Sequence, residues 1–316
     1  MSLFVVEPGI RSTIQDLGRT GYRAFGVPPG GAFDRESHAL AAALLGDDSN
    51  SACIEIALLG GCFEALDPTA IALAGAPFQA RIERGGVVIK ELHPPFATSL
   101  ASGDRIRIGG TPSGCRCYLA VAGGFQTRII LGSRSSEKPL ASGDILPARS
   151  SFTITRYMRS PISHASPDKP IRIVEGPADD PAARSVLKRL CEIEWTASLD
   201  SDRVGVRLQS EQGDIDWDED PERPSAPVAP GAIQWTKKGP IVLGVAAGTM
   251  GGYAHFAHVI NADLDRVGGL APGDRVRFER IECGEARRID RERSRERISL
   301  LKRVSATYQS INHETD

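Results

Sequence analysis

Three glycine-rich segments hold most of the residues that could do chemistry. The first runs Thr13-Ile14-Gln15-Asp16-Leu17-Gly18-Arg19-Thr20-Gly21-Tyr22 and continues as Gly26-Val27-Pro28-Pro29-Gly30-Gly31-Ala32-Phe33-Asp34. Its Pro-Pro-Gly-Gly turn lets main chain approach a ligand, because glycine has no Cβ. The helix expected after Asp34 would offer free N–H groups to an anion. Asp16 and Arg19 could pair, or Arg19 could clamp a carboxylate through two parallel bonds. Taken alone, the segment reads better as a capped turn held by an Asp–Arg bridge. The second segment is Leu119-Ala120-Val121-Ala122-Gly123-Gly124-Phe125, then Leu131-Gly132-Ser133-Arg134-Ser135-Ser136. Gly123 and Gly124 could form a nest of N–H groups, with charge from Arg134 and hydroxyls from Ser133 or Ser135; the plain alternative is a strand end and a hairpin. The third is Gly248-Thr249-Met250-Gly251-Gly252-Tyr253, preceded by Gly231-Ala232-Ile233-Gln234. Gln234 could hydrogen-bond an amide there.

His255 and His258 would share a face on a helix but not on a strand. A metal site is the less favoured reading of this pair, and no metal is expected. The sequence has no Gly-x-x-x-x-Gly-Lys-Ser/Thr loop for ATP and no Gly-x-Ser-x-Gly elbow. It also lacks a Met-Lys-Met segment that would carry biotin. No nucleophile or general base stands out.

These segments must be positioned by a chain of 316 residues that is 41% hydrophobic, long enough for about two domains. A net charge of −2 and 6% aromatic residues argue against a nucleic-acid partner. The longest apolar stretches, Ile71 to Phe78 and Ile241 to Ala247, fall far short of the ~20 residues that cross a bilayer. A soluble, cytoplasmic protein is expected. Six cysteines make no disulfide framework, and Cys115 and Cys117 read as small buried apolar groups.

Short apolar runs broken by Gly, Pro, Asp and Asn dominate the first 150 residues, a pattern of β-barrels or sandwiches. One helix should follow Asp34 as N-cap and end near Gly46; another should span Pro181 to Glu192 with Asp180 as cap. Pro161 to Pro170 reads as a linker, and Asp214 to Pro230 as an acidic, proline-rich surface loop. Glu285 to Arg303 alternates in charge and reads as an exposed C-terminal helix.

The chain also echoes itself. Leu100-Ala101-Ser102-Gly103-Asp104-Arg105-Ile106-Arg107-Ile108 matches Leu270-Ala271-Pro272-Gly273-Asp274-Arg275-Val276-Arg277-Phe278, Ile71-Ala72-Leu73 matches Ile241-Val242-Leu243, and Val6-Glu7 matches Val174-Glu175. Asp16, Arg19, Gly21 and Arg23 match Asp200, Arg203, Gly205 and Arg207. The order suggests two related β-barrel domains, at 1–160 and 170–282, followed by a charged helical tail at 283–316. Chance recurrence of Gly-Asp turns is the competing explanation.

Together with Ser201-Asp202-Arg203-Val204-Gly205-Val206-Arg207-Leu208, these segments resemble, in order over residues 5 to 280, the family of the 5-oxoprolinase C component. That family is also described as allophanate-hydrolase-subunit-2-like or biotin-dependent-carboxyltransferase-like. The resemblance implies a mainly β chain of two cyclophilin-like β-barrel domains, a few short helices and a charged C-terminal helix. It implies a B-like and an A-like partner in an assembly that uses ATP to open 5-oxoproline to glutamate. Relatives act as the carboxyltransferase of urea carboxylase or as an antagonist of a sporulation-kinase inhibitor, so a non-catalytic binding module is the alternative. The ligand class would be a small carboxylate or cyclic amide. Arg19, Arg134 and Arg203 would bind its anionic group, with Ser133 beside them and Asp16 and Asp202 orienting the arginines. Gly123, Gly124, Gly251 and Gly252 would give main-chain contacts, and Gln234 and Tyr253 would meet the amide. The sequence departs from the family at Val245 to Ala254, where an Asp and a Thr-Thr pair are missing, and in a shortened loop after Ser136.

Overall fold

Alternation within single strands sets the layering of the N-terminal half. In Thr69–Gly75, Ile71 and Leu73 join one core cluster while Ala70, Ala72 and Ala74 join another. Arg116–Val121 does the same, with Cys117, Leu119 and Val121 on one face and Tyr118 and Ala120 on the other. Both faces of this sheet are therefore buried. The large residues fill a core with Leu3, Val5, Phe63 and Ile106, and the alanines let helix α1 (Arg35–Ala43) lie close, through Leu40, Ala41 and Leu44. Such continuous apolar runs are why the strands are visible in the sequence.

The computed structural model describes residues 2–149, 152–158, 169–177, 181–211, 224–236 and 238–313. The chain forms two compact units. One comprises Met1–Arg19, Gly30–His164 and Glu296–Asp316; the other comprises Thr20–Pro29 and Ala165–Arg295. The first contains two six-stranded sheets. One runs Ile145–Pro147, Ser2–Glu7, Cys62–Ala65, Arg105–Ile108, Ala80–Arg84, Val87–Leu92. The other runs Arg156–Tyr157, Phe96–Leu100, Thr69–Gly75, Arg116–Val121, Cys53–Ala57, Arg11–Gln15.

The second unit is built on one eight-stranded sheet whose outermost strands are Arg275–Val276 and Phe278–Arg280. Only Arg277 separates these two strands, so opposite edges of the sheet must meet and the sheet curls into a nearly closed barrel. The protein is thus mainly β, as expected. Helices α2 (Pro181–Glu192) and α3 (Asn261–Gly269) belong to this unit. The N-cap Asp34 and the span of α2 are as expected; Asp180, the linker from Pro161 and most of the acidic loop lie outside the described residues. The long helix α4 (Cys283–His313) caps α3 from its first half, where Asp290 accepts the N–H of Ala262 at 2.8 Å. Its second half packs Leu300, Leu301 and Val304 against the α1 cluster. No helix among the described residues is long and apolar enough to cross a membrane.

The internal echo is only partly structural. In Ala101–Asp104 and Ala271–Asp274 alike, the aspartate carboxylate accepts the alanine N–H and the aspartate N–H returns to the alanine carbonyl. A left-handed glycine, Gly103 or Gly273, closes each turn. A third copy, Ala141-Ser142-Gly143-Asp144, has the same bonds and lies in the first unit. Turn chemistry therefore accounts for the turn part of this match; in each copy a strand follows, beginning at Arg105 or Arg275. The match of Gly21 and Arg23 with Gly205 and Arg207 is not structural equivalence either: the latter lie in the strand Gly205–Gln209, whereas Arg23 begins the 3₁₀ turn Arg23–Phe25.

The α4 packing has a measurable consequence. Leu301→Ala should lower the unfolding free energy by about 1–2 kcal/mol, below the range for fully buried leucines because Leu301 is half-buried. Denaturant titration measures this, and an unchanged midpoint would mean that α4 contributes no packing there.

Candidate functional site

The twelve sequence candidates fall into two groups, six in each unit. In the first unit Ser133 and Arg134 converge on Asp16. Its carboxylate follows the strand Arg11–Gln15 and is 3% exposed. Oδ1 accepts the hydroxyls of Ser133 and Ser135, each at 2.6 Å, and the N–H of Gly18 at 2.7 Å. Oδ2 accepts the N–H of Arg134 at 2.6 Å. Burial pushes this carboxyl up, but the four bonds outweigh burial and hold it below the usual carboxylate range. Ser133 is delivered by a tight hairpin, in which Ile130 and Ser133 exchange main-chain bonds across Leu131 and Gly132 at φ 52° and 78°. Two left-handed central residues suit the right-handed strand twist, and Gly132 supplies one without strain.

The expected pairing of Asp16 with Arg19 does not occur, since no guanidinium among the described residues bonds the Asp16 carboxylate. Four shorter-range donors already satisfy it. Arg19 instead donates to the carbonyls of Ile130, at 3.2 Å, and Ser135. Arg134 turns its guanidinium back onto the Thr127 carbonyl and Gln126 Oε1. Each arginine keeps unspent N–H donors from its five. Gly123 and Gly124 both accept from Gln126 Nε2, at 2.7 and 2.9 Å, and the Gly123 N–H donates to Asp47. The Gly123 N–H is thus spent on Asp47 and that of Gly124 on the Val121 carbonyl, so no free nest forms. Burial pushes the Asp47 carboxyl up to about 6.

A second buried network, beside α1, lies outside the sequence candidates. Tyr118 donates to Glu55 at 2.8 Å and accepts the N–H of Asp34 at 2.9 Å; Glu55 also accepts the N–H of Phe33 and faces Arg116 at 3.4 Å. Asp34 caps Ser37, and burial pushes its carboxyl up to about 7. Glu55 and Arg116, polar residues within otherwise apolar strands, were the available signal.

In the second unit, Gln234, Gly251 and Tyr253 come together. Gln234 is buried and donates Nε2 to the Tyr253 carbonyl at 3.2 Å. Gly251 lies against that carboxamide: a Cβ there would sit 2.7 Å from Gln234 Nε2. Gly252 and the Tyr253 ring are exposed. Asp202 holds its own turn, accepting the N–H groups of Val204 and Gly205. Arg203 is 2% exposed, so its guanidinium lies among protein groups. Among the described residues, no cluster of three or more His, Cys, Asp and Glu side chains could hold a metal.

Comparison with known proteins adds to this geometry. The family described as carboxyltransferase domain, subdomain A and B, matches residues 25–280. The C component of the 5-oxoprolinase of Escherichia coli (strain K12) is 29% identical over 304 residues, covering 93% of this chain and 96% of that protein. The urea amidolyase of Lachancea kluyveri is 30% identical over 319 residues, covering 90% of this chain but 17% of that protein. The crystal structure of the K. lactis urea amidolyase superposes with a TM-score of 0.78 at 26% identity, over 94% of this chain and 20% of that one. This chain therefore spans a fifth or less of the amidolyases it matches.

Asp16 generates a test of the first cluster. Asp16→Ala leaves buried donors unpaired and should cost about 2–4 kcal/mol in denaturant unfolding. Because the folded carboxyl lies below its unfolded value, its stabilisation is full above about pH 4 and is lost as pH falls through the folded value. The variant should accordingly show a shallower loss of melting temperature on acidification. Parallel acid limbs for variant and wild type would contradict this assignment.

Proposed function

The chain belongs to the carboxyltransferase-domain family, subdomain A and B, and on that premise we propose that it is one component of an ATP-dependent, amide-opening hydrolase of the 5-oxoprolinase kind. The observation that carries this reading is the reach of the match. It covers nearly all of both this chain and the E. coli C component, whereas the amidolyase match takes up a small part of that protein. The proposed partners are a B-like and an A-like protein, in the cytoplasm.

The chemistry is that of a stable lactam. Its carbonyl must be activated, which is the use of ATP, and the oxyanion that develops must be stabilised. ATP would be held elsewhere in the assembly, since this chain lacks a phosphate-binding loop of the Walker type. The substrate amide would meet Gln234 and main chain at Gly251, Gly252 and Tyr253. Spare N–H groups on Arg19 and Arg134 remain available to an anion, while Asp16 serves as framework. A second reading, the carboxyltransferase component of a urea-carboxylase-type enzyme, is favoured by the amidolyase likeness in both sequence and structure.

One assay separates the two readings. The chain, co-purified with its B-like and A-like partners, is expected to form glutamate from 5-oxoproline only with ATP and only when all three are present. ATP-dependent consumption of urea without glutamate formation, once bicarbonate as the carboxyl source and a charged biotin carrier are supplied, would instead establish the second reading.

A further inference from the structure

His255 and His258 lie in the strand His255–Val259, where residues three apart should face opposite ways. They do not, because the strand carries a bulge. Its neighbour Ala232–Thr236 pairs Ala232 with His258, Ile233 with Ala257, and Gln234 with His255, skipping Phe256. Paired residues point to the same face of a sheet. The extra residue therefore turns both histidines onto the face of Ala232 and Gln234. Their ring centroids are 5.5 Å apart. The opposite face takes Phe256, which packs edge-on against Trp235 in an aromatic cluster with Trp195. That packing fixes the bulge.

The histidine face has unmet hydrogen-bonding capacity. His255 Nε2 is buried and has no partner among the described residues. Gln234 spends its Nε2 on the Tyr253 carbonyl, and its Oε1 accepts no bond from the described residues. Main chain closes over both neighbours: a Cβ on Gly251 would strike Gln234, and one on Gly231 would sit 3.1 Å from His258 Nε2. Both rings are held neutral. Burial lowers His255, and burial, the neighbouring His255 and Arg23 lower His258 to about 4. A metal ion would need a third or fourth ligand, which the described residues do not supply.

We infer that His255 and Gln234 together form a subsite for a neutral amide group, with His255 as its specificity-determining residue. Gln234 Oε1 requires an N–H, and a neutral imidazole nitrogen either donates or accepts. An amide carries N–H and C=O on adjacent atoms and answers both. A carboxylate has no hydrogen for Gln234 Oε1, and neither has a ketone. A site built around a polar atom that stays unpaired without its ligand discriminates sharply against analogues lacking the matching group.

The inference rests on the amide-handling reading above, but its test uses binding rather than turnover, so the two can fail separately. The full chain is titrated by ligand-observed NMR with pyrrolidin-2-one and with cyclopentanone, which has the ring and carbonyl but no N–H. The lactam should bind about tenfold or more tightly than the ketone, the scale of one buried hydrogen bond left unmade. His255→Phe should erase that preference, and His255→Gln, which restores a polar group, should recover part of it. The comparison of ligands on the wild-type chain decides the matter even if His255→Phe fails to fold. Equal binding of lactam and ketone, no wild-type lactam binding, or a folded His255→Phe with undiminished preference would overturn it.

Discussion

A carboxylate taken out of water must find hydrogen bonds to replace it, and in the first unit that requirement falls on Asp16. Four donors converge on it, from two hydroxyls and two main-chain N–H groups. Leaving a buried charge unpaired costs several kcal/mol, so the loop carrying Ser133, Arg134 and Ser135 has little freedom to sit elsewhere. The consequences run outward. The hairpin at Ile130 to Ser133 is pinned, Arg19 ties down two carbonyls in and beside it, and Arg134 reaches Gln126, which gathers Gly123 and Gly124. Residues more than a hundred positions apart become one framework.

That framework explains which parts of the site could be read in the sequence. The residue types were legible: an Asp near an Arg, and a Gly-Ser-Arg-Ser run. Their partners were not, because local spacing favours Asp16 with Arg19 while the fold supplies nearer donors from residues 133 to 135. Arg203 shows the same limit from the other side. A charged residue in a glycine-rich segment looks accessible, yet it is buried. The fold was more legible, since sheets buried on both faces leave continuous apolar runs, and Asp34 and Pro181 mark helix starts by local chemistry alone. Part of the internal echo is local chemistry: the Gly-Asp turn in its longest match recurs three times among the described residues, held each time by its own hydrogen bonds.

In the second unit the decisive feature is a register shift. Spacing of two histidines cannot reveal a common face on a strand, because the bulge is a property of how two strands pair. The aromatic packing of Phe256 and Trp235 on one side thus determines what His255 and His258 present on the other. The same coupling explains the glycines nearby. Gly231 and Gly251 are needed because main chain passes within contact of His258 and Gln234, a requirement that a sequence read only as glycine-rich does not specify. The two groups of residues then differ in character: around Asp16 the bonds close on themselves, whereas around Gln234 and His255 they remain open.

That contrast is the central claim, and a ligand-bound crystal structure tests it most directly. Crystals of the full chain soaked with 5-oxoproline should show difference density with the lactam group against Gln234 and His255, while the bonds around Asp16 stay unchanged. Density confined to other parts of the chain, with the Gln234 face unoccupied, would contradict the account.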